Sequence, residues 1–235
     1  MTITITDEGL ISPFGLNFLR DSRLELIAPT RDMTEENETG NGEIDFGTEL
    51  KAGRMVLHGA ITALTAQEKY AFKTQLAGQL LDCLTPQKFM VGDSADKFVY
   101  VVLEDKPDVV EHAGYIEVSI PLKTEPYWQD ESESNQIGSG TISISGTMDT
   151  PIIIDILGPA TNPAISVGSS VLSYAGSLSV VDQLVIDTDK KTVAFNGVNA
   201  LKYFTGEFPV LPPGDTVVSA ASGGTTTFKW RNRYL

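Results

Sequence analysis

The chain has 235 residues, with 31 acidic and 17 basic side chains and a formal net charge of −14. This acidity excludes general nucleic-acid binders and peripheral binders of anionic membranes, because both depend on clustered Lys and Arg. With 41% hydrophobic and 20% charged residues, the composition is that of a folded protein with one large or two small domains.

The segments that direct a chain to a membrane or to export are not evident. No apolar run is long enough to span a bilayer, and the start MTITITDEGL has neither the basic nor the apolar part of a signal peptide. Cys83 is the one cysteine, so no internal disulfide can form. We therefore expect a protein made in a reducing cytoplasm.

The first part of the chain alternates apolar and polar residues between turns, a pattern that predicts short strands. These strands are expected near residues 2–6, 23–27, 54–61, 97–103 and 115–122.

One helix is predicted over residues 65–84. Thr65 and Glu68 have the spacing of a capping box, which satisfies two backbone amides at a helix start. Every fourth residue is apolar, which predicts a stripe that packs against a sheet, made of Phe72, Leu76, Leu80 and Leu84. Pro86 prevents the helix from continuing.

The pattern changes at about Asp130, where the polar segment DESESNQIGSG is typical of a domain boundary. Short β-rich runs separated by Gly, Pro, Asn and Asp follow, a spacing typical of a β-sandwich or barrel. Residues 184–195 read LVID-TDKK-TVAF and predict a hairpin. The sequence thus predicts a mainly β protein with one main helix: an α+β domain followed by an antiparallel β-sandwich.

The residue types that carry catalysis or bind metals do not form a set. His58 and His112 have no His or Cys neighbour at metal-ligand spacing, and Cys83 has no evident base. The pair Asp187 and Asp189 resembles a calcium loop but fits a hairpin turn better, since the loop's Gly and Glu are missing. We expect no enzyme activity, no cofactor and no metal.

Two weaker alternatives remain open. Acidic loops offer carboxylate pairs for glycoside hydrolysis, made of Glu35, Glu36, Glu38, Glu43 and Asp45, or of Glu125, Asp130, Glu131 and Glu133. Aromatic residues offer stacking surfaces for a sugar, namely Tyr127, Trp128, Tyr174 and Trp230.

Several segments in order resemble one family, the distal tail proteins of long-tailed bacteriophages. GEIDFGTELKAGRMVLHGAI at 42–61 resembles the family's acidic turn, D-F-G-T-E run and basic-aliphatic strand. The helix at 65–84 follows in the family's order. YIEVSIPLKTEPYWQD at 115–130 resembles the strand and Pro-Tyr pair that close the family's first domain.

The resemblance continues through the second part. PIIIDILGPATNPAISVG at 151–168 is similar to paired strands around an Asn-Pro turn, and LVIDTDKKTVAFNG at 184–197 to the family's hairpin. FPVLPPGDTVVS at 208–219 and WRNRYL at 230–235 resemble its closing strands.

The resemblance implies a structural virion protein of the tail tip, synthesised in the bacterial host cytoplasm. Residues 1–133 would form a ring of six copies, and residues 134–235 a galectin-like β-sandwich that points outwards. The ring would join the tail tube protein to tip, tail-lysin or receptor-binding proteins. The chain has no room for the inserted carbohydrate-binding domain of some members. The alternative is a carbohydrate-binding adhesion module of a phage or a cell surface.

The long polar loop at 31–42 is the candidate arm that reaches a neighbouring copy, its alternative being a flexible surface loop. The predicted oligomer-contact residues in and beside it are Asp32, Glu35, Glu36, Glu38, Asn41 and Glu43.

The acidity is local, since residues 1–50 hold 11 acidic and 3 basic residues and residues 101–150 hold 10 and 2. If these residues line the channel of a ring, they would repel phosphates and let DNA pass as cargo without binding it.

Overall fold

The computed structural model describes residues 1–19, 52–62, 65–92, 96–221 and 223–235, together with the backbone of three short strands at 23–24, 30–31 and 48–49. These residues are mainly β, with one α-helix, as the sequence predicts. They form two compact units, Met1–Trp128 with Leu235, and Gln129–Tyr234. The predicted division after residue 133, with a ring domain and a galectin-like domain, stays a prediction.

The first unit contains the helix α1 (Ala66–Asp82). Its strands are β1 (Thr2–Ile5), β2 (Leu10–Ser12), β3 (Leu16–Phe18), β4 (Arg23–Leu24), β5 (Thr30–Arg31), β6 (Thr48–Glu49), β7 (Gly53–Thr62), β8 (Gln87–Val91), β9 (Lys97–Leu103), β10 (Asp108–Glu111) and β11 (Tyr115–Thr124).

The main sheet of the first unit closes on itself. Its order is β11-β7-β3-β2-β1-β8-β9, and β9 pairs back with the end of β11. The pair β1–β8 is parallel and the other pairs of this path are antiparallel. β10 pairs with the first half of β11, beside the part that β9 occupies. The closed sheet has an interior face, and every second side chain of a strand points towards it. On β11 the inward-pointing residues Ile116, Val118, Ile120 and Leu122 are all buried.

The helix α1 completes this core. The predicted capping box is confirmed, because the Thr65 hydroxyl accepts the Glu68 N–H (3.3 Å) and the Glu68 carboxylate accepts the Thr65 N–H (2.7 Å). These bonds lower the pKa of Glu68. An N-cap of this kind is worth about 1 kcal/mol.

Three members of the predicted stripe, Phe72, Leu76 and Leu80, pack into the core of the first unit. The fourth, Leu84, is exposed, so that part of the prediction is wrong. The helix ends at Asp82, and the backbone N–H of Cys83 then bonds to the carbonyls of Leu80 and Leu81. Leu84 therefore lies outside the helix, and the helical repeat that would have pointed it inwards no longer applies to it.

The second unit is all β apart from a 3₁₀ turn (Leu201–Tyr203). β12 (Trp128–Asp130) begins at the last residue of the first unit. The other strands are β13 (Ser134–Ile137), β14 (Gly140–Ile144), β15 (Thr150–Leu157), β16 (Ala160–Thr161), β17 (Ala164–Val167), β18 (Ser170–Tyr174), β19 (Ser177–Leu178), β20 (Gln183–Asp187), β21 (Thr192–Phe195), β22 (Val198–Asn199), β23 (Phe204–Thr205), β24 (Val210–Leu211), β25 (Gly214–Ser219), β26 (Thr225–Trp230) and β27 (Arg233–Tyr234).

Two antiparallel sheets of this unit share one core. Their orders are β13-β26-β15-β20-β21-β22, with β24 added to β15, and β14-β25-β17-β18-β23. Ile154 of β15 and Phe228 of β26 enter the core from one sheet, and Leu172 of β18 and Val218 of β25 from the other. This is the predicted antiparallel sandwich, and β20 and β21 are the predicted hairpin.

Candidate interaction surfaces

The predicted oligomer-contact loop lies largely outside the described residues, and so do all six of its named positions: Asp32, Glu35, Glu36, Glu38, Asn41 and Glu43. The backbone at its two ends is described. β5 and β6 pair antiparallel, with Thr30 opposite Glu49 and Arg31 opposite Thr48. The connection between them therefore starts and ends at the same short ladder.

The two histidines belong to the first unit and have structural contacts. His58 lies on β7, as predicted, and its Nδ1 is 2.8 Å from the Ser119 hydroxyl on β11. His112 stacks on the ring of Tyr115 at 4.2 Å. Among the residues that the structure describes, no group of three or more His, Cys, Asp or Glu side chains is placed to hold a metal ion.

Cys83 is fully buried beneath the end of α1. Burial is the main reason that its pKa rises to about 11, and the nearby Asp82 carboxylate adds to the effect. A thiol that stays protonated in this way is a poor nucleophile at neutral pH.

The Asp187 turn is a closed hairpin turn, as predicted. One carboxylate oxygen of Asp187 accepts the backbone N–H groups of Asp189 (3.1 Å) and Lys190 (3.0 Å). Asp189 in turn binds the guanidinium of Arg233 at 2.9 Å. The carboxylates of Asp187 and Asp189 are thus both bonded to groups of the chain itself.

The candidate carboxylates of the glycosidase alternative differ in their surroundings. Glu35, Glu36, Glu38, Glu43 and Asp45 lie outside the described residues. Asp130 accepts a hydrogen bond from the Asn232 side chain at 2.7 Å, and the Arg231 guanidinium donates to the carbonyls of Asp130 and Glu131. These bonds fasten the first residues of the second unit to the connection between β26 and β27.

Three of the four aromatic residues of the sugar-binding alternative pack against the cores, and the fourth, Tyr127, is half-buried. Trp128 packs against the core of the first unit, with its ring 6.2 Å from that of Phe89. Tyr174 is buried in the core of the second unit, and Trp230 packs partly buried against the same core. The burial of Tyr174 could have been predicted from the sequence. Alternate residues of a strand share a face, and Tyr174 follows the apolar Leu172 by two residues on β18.

An open hollow of about 500 Å³ in the second unit is lined by Asn199, Leu201 and Lys202. The Asn199 side chain accepts the N–H of Leu201 at 3.0 Å, and the Lys202 ammonium lies 4.6 Å from the centre of the Tyr203 ring. The polar groups of this hollow are thus engaged with the chain itself.

Two lysines hold α1 against the turn between β10 and β11. The Lys69 ammonium donates to the carbonyl of His112 at 2.6 Å. The Lys73 ammonium pairs with the Glu111 carboxylate, and this pair is the main reason that the pKa of Glu111 is lowered. The side of α1 that carries these lysines is therefore committed to the fold.

A different side of α1 is open to solvent. Tyr70, Leu81 and Leu84 are 75%, 67% and 60% exposed. We refer to Tyr70, Ala77 and Leu81, which succeed one another along this side, as the α1 outer face, and the exposed Leu84 follows two residues after the end of the helix. The sequence gives no signal for this face, because only the buried stripe has the spacing expected of residues that pack in a core.

A second exposed apolar feature is the valine turn of the second unit, residues 179–182. Val180 and Val181 are 73% and 88% exposed at its tip. The Asp182 carboxylate accepts hydrogen bonds from the Asn196 side-chain amide (2.8 Å) and the Ser179 N–H (2.7 Å). The pKa of Asp182 is lowered first by the bond from Asn196 and then by the side-chain and backbone bonds from Ser179. These bonds present the two valines outwards on a fixed turn.

Comparison with known proteins gives a family match within the second unit and a similar fold for the whole chain. Residues 145–234 match the family described as siphovirus-type tail component, C-terminal domain. The whole chain is similar in fold to SPP1 Dit, described as a paradigm of the hub adsorption apparatus in phages that infect Gram-positive bacteria. The TM-score is 0.71 at 15% identity, over 93% of this chain and 94% of that chain.

Two structures of the phage p2 baseplate in its activated conformation, with Ca and with Sr, are also similar. They cover 92% and 88% of this chain and 90% and 87% of theirs, with TM-scores of 0.48 and 0.43 and 10% identity each. No curated protein sequence matches the chain. The fold of the whole chain and the family of its second unit thus agree, and they confirm the resemblance to the distal tail proteins of siphovirus-type phages.

Proposed function

We propose that the chain is a structural hub protein at the distal end of a siphovirus-type phage tail. One observation carries the proposal: the fold likeness to SPP1 Dit covers 93% of this chain, and residues 145–234 also match the family described as siphovirus-type tail component, C-terminal domain. The hub of an adsorption apparatus is the role named for SPP1 Dit, and the shared fold is the reason for extending it to this chain.

The hub is a ring of six copies formed by residues 1–133. Ring closure needs two different surfaces on each copy that meet after a fixed rotation. The connection between β5 and β6 supports one of them, since both its ends leave from the same ladder. An arm of this kind, with Asp32, Glu35, Glu36, Glu38, Asn41 and Glu43 in and beside it, can reach a neighbour while its root stays on its own subunit.

Residues 134–235 face outwards as a galectin-like sandwich and contact the tip proteins. The partners are the tail tube protein on one side, and a tail-lysin, tip or receptor-binding protein on the other. The exposed valine turn supports a protein-contact role, because adjacent, strongly exposed valines are typical of surfaces that bind partners.

The protein acts as a passive conduit in the virion tail tip and not as an enzyme. The packing of Trp128, Tyr174 and Trp230 against the cores supports this reading over sugar recognition, because a ring face that contacts a core is not available for stacking on a sugar. The acidic segments within residues 1–50 and 101–150 support a channel that repels DNA phosphates.

The ring is tested by light scattering of the purified chain, alone and mixed with the tail tube and tip proteins of the same phage. We expect a particle of six 25.4 kDa subunits, alone or on the tube as a template, and a six-fold ring by electron microscopy. A strict monomer that binds neither protein would overturn the proposal.

The location is tested with gold-labelled antibodies on intact particles. Label at the end of the tail distal to the capsid is expected, and deletion of the gene should leave particles without an assembled tip. Label on the capsid, or normal tips after deletion, would contradict the hub role.

A further inference from the structure

The tight turn between β21 and β22 consists of Asn196 and Gly197. Phe195 pairs with Val198 across the two strands, so these two residues form the whole loop. Both have a positive φ, 48° at Asn196 and 78° at Gly197, as a type I′ hairpin turn requires, and Asn-Gly is the pair that this turn favours. Both residues are also exposed, so water reaches the turn.

An Asn-Gly pair can undergo a reaction of its own, the loss of the asparagine amide. The backbone nitrogen of the glycine attacks the asparagine Cγ, and the bond between Cγ and Nδ2 breaks. Nδ2 leaves as ammonia with the proton that the backbone nitrogen gives up, and water then opens the cyclic imide to aspartate or isoaspartate. Glycine has no side chain to shield its nitrogen, and a Cβ atom built at Gly197 would meet nothing within 4 Å. The attacking nitrogen is therefore unhindered.

The side chain of Asn196 is held at both ends in the folded chain. Its Oδ1 accepts the backbone N–H of Gln183 at 2.9 Å, and its Nδ2 donates to the Asp182 carboxylate at 2.8 Å. Only this orientation of the amide satisfies both partners, because an ionised carboxylate only accepts and a backbone N–H only donates. The reaction releases Nδ2 and moves Cγ onto the nitrogen of Gly197, so both hydrogen bonds oppose it.

The bond from Asn196 also belongs to the set that holds the valine turn. The Asp182 carboxylate that accepts it accepts the backbone N–H of Ser179 as well, at 2.7 Å. Asn196 therefore links the hairpin turn to the residues that present Val180 and Val181. An aspartate at position 196 would have no N–H to donate and would bring a second negative charge beside Asp182.

We propose that Asn196 is a modification site that the fold keeps closed, and that loss of its side-chain amide releases the valine turn. The reaction is slow while Asn196 is bonded to Gln183 and Asp182, and it becomes fast when local opening frees the side chain. Because ammonia is lost, the bond to Asp182 does not form again. The inference concerns this turn alone and does not rest on the proposed hub role.

The first test follows the reaction by mass spectrometry in the full chain at mildly alkaline pH. Trypsin releases residues 192–202, which contain Asn196 and also Asn199, an exposed asparagine followed by alanine that serves as an internal control. We expect Asn196 to lose its amide at least about tenfold faster in the guanidinium-unfolded chain than in the folded chain, because unfolding removes two hydrogen bonds. Equal rates at Asn196 would overturn the proposal.

The second test removes one of the two bonds. In the folded chain, Asp182→Ala should speed the loss at Asn196 at least about fivefold, and Asp182→Asn, which keeps an acceptor oxygen, should stay within about twofold of the unmodified chain. Asp149→Ala removes another exposed carboxylate of the second unit and is the matched control. An unchanged rate in Asp182→Ala, or an equal rise at Asn199, would overturn the proposal.

The third test concerns the product. Asn196→Asp introduces the aspartate directly, and hydrogen exchange followed by NMR reports on the turn. We expect the Ser179 amide to exchange at least about tenfold faster than in the unmodified chain, because its acceptor Asp182 is no longer fixed. The Ile152 amide, which is bonded to Thr188 in the same unit, should exchange as before. Unchanged exchange at Ser179 would overturn the release of the valine turn.

Discussion

Gly59 of β7 lies against Leu16 of β3, so closely that a Cβ atom added at Gly59 would be 2.7 Å from the Leu16 Cβ. Both residues are buried where β3 and β7 pair within the closed sheet. The backbone carbonyl of Asn17 would lie only 3.3 Å from the same Cβ. Closure of the sheet therefore requires glycine at position 59.

We expect Gly59→Ala to lower the free energy of unfolding of the first unit by about 1–3 kcal/mol, because a well-packed core does not accommodate an added methyl group. The measurement is urea unfolding followed by Trp128 fluorescence in a Trp230→Phe background. Gly78→Ala is the matched control and should stabilise by about 0.5–1 kcal/mol, since its Cβ meets open space. Equal effects of the two changes would contradict the close approach.

Thr188 supports the adjoining strand of the sandwich from the turn after β20. Its hydroxyl accepts the N–H of Ile152 at 2.8 Å, and both residues are buried. Thr188→Val removes the acceptor and leaves that N–H unpaired, which we expect to cost about 1–3 kcal/mol. Urea unfolding followed by Trp230 fluorescence in a Trp128→Phe background measures the loss. Thr192→Val, at an exposed position of β21, should change stability by less than about 0.5 kcal/mol.

The valine turn should respond to acid. The Asn196 and Ser179 hydrogen bonds lower the pKa of Asp182 below its ordinary value of 3.8. A lowered folded-state pKa stabilises the turn above the unfolded value, and that contribution is lost as the pH falls through the lowered pKa. We expect the amide resonances of Ser179 and Asn196 to titrate together with a midpoint below 3.8.

An Asp182→Asn variant is the control for this titration. It keeps the size of the side chain but removes the titrating group, so the pH-dependent shift of both resonances should disappear. A midpoint above 3.8 in the unmodified chain would show that the carboxylate is not held by these bonds.

Cys83 should be unreactive in the folded chain. With a pKa of about 11, roughly one thiol in a thousand is ionised at pH 8, and burial also blocks access. We expect a soluble disulfide reagent to label the folded chain at least 100-fold more slowly than the urea-unfolded chain. Rapid labelling of the folded chain would show that the end of α1 opens. A Gln75→Cys variant should gain one fast-reacting thiol.

Local patterns were enough to predict several elements. The capping box at Thr65 and Glu68 marks the start of α1 through contacts within one helical turn. The β20–β21 hairpin was equally clear, because Asp187 organises its turn through hydrogen bonds to its nearest neighbours. Both features depend on residues close together in the chain, where sequence and structure are most directly linked.

Short strands were the elements that sequence analysis missed. β2 and β3 have three residues each, and β10 has four, too few for alternation to stand out. They form because longer neighbours such as β7 and β11 offer a paired edge. The packing of the aromatic residues likewise depends on residues distant in the chain, since Tyr174 and Trp128 contact cores built from several strands.

Pro121 shows the division between local and tertiary determinants most clearly. It lies in the middle of β11, where a proline normally removes a ladder hydrogen bond. Its carbonyl accepts the N–H of Glu104 at 3.0 Å, which places its nitrogen on the edge shared by β9 and β10. β10 pairs with residues 116–119 and β9 with residues 122–124, so the missing N–H falls between the two partners.

The sequence by itself determined the class of the protein: mainly β, with one capped helix, a polar boundary near Asp130 and segments in the order of the distal tail proteins. The alternation of apolar and polar residues and the helix cap each involve only a few neighbouring residues, so both can be recognised in the sequence. Only the tertiary structure decided that the first sheet closes through β9 and β11 and that the α1 outer face stays uncovered. Both depend on pairings between distant residues, which no local preference specifies.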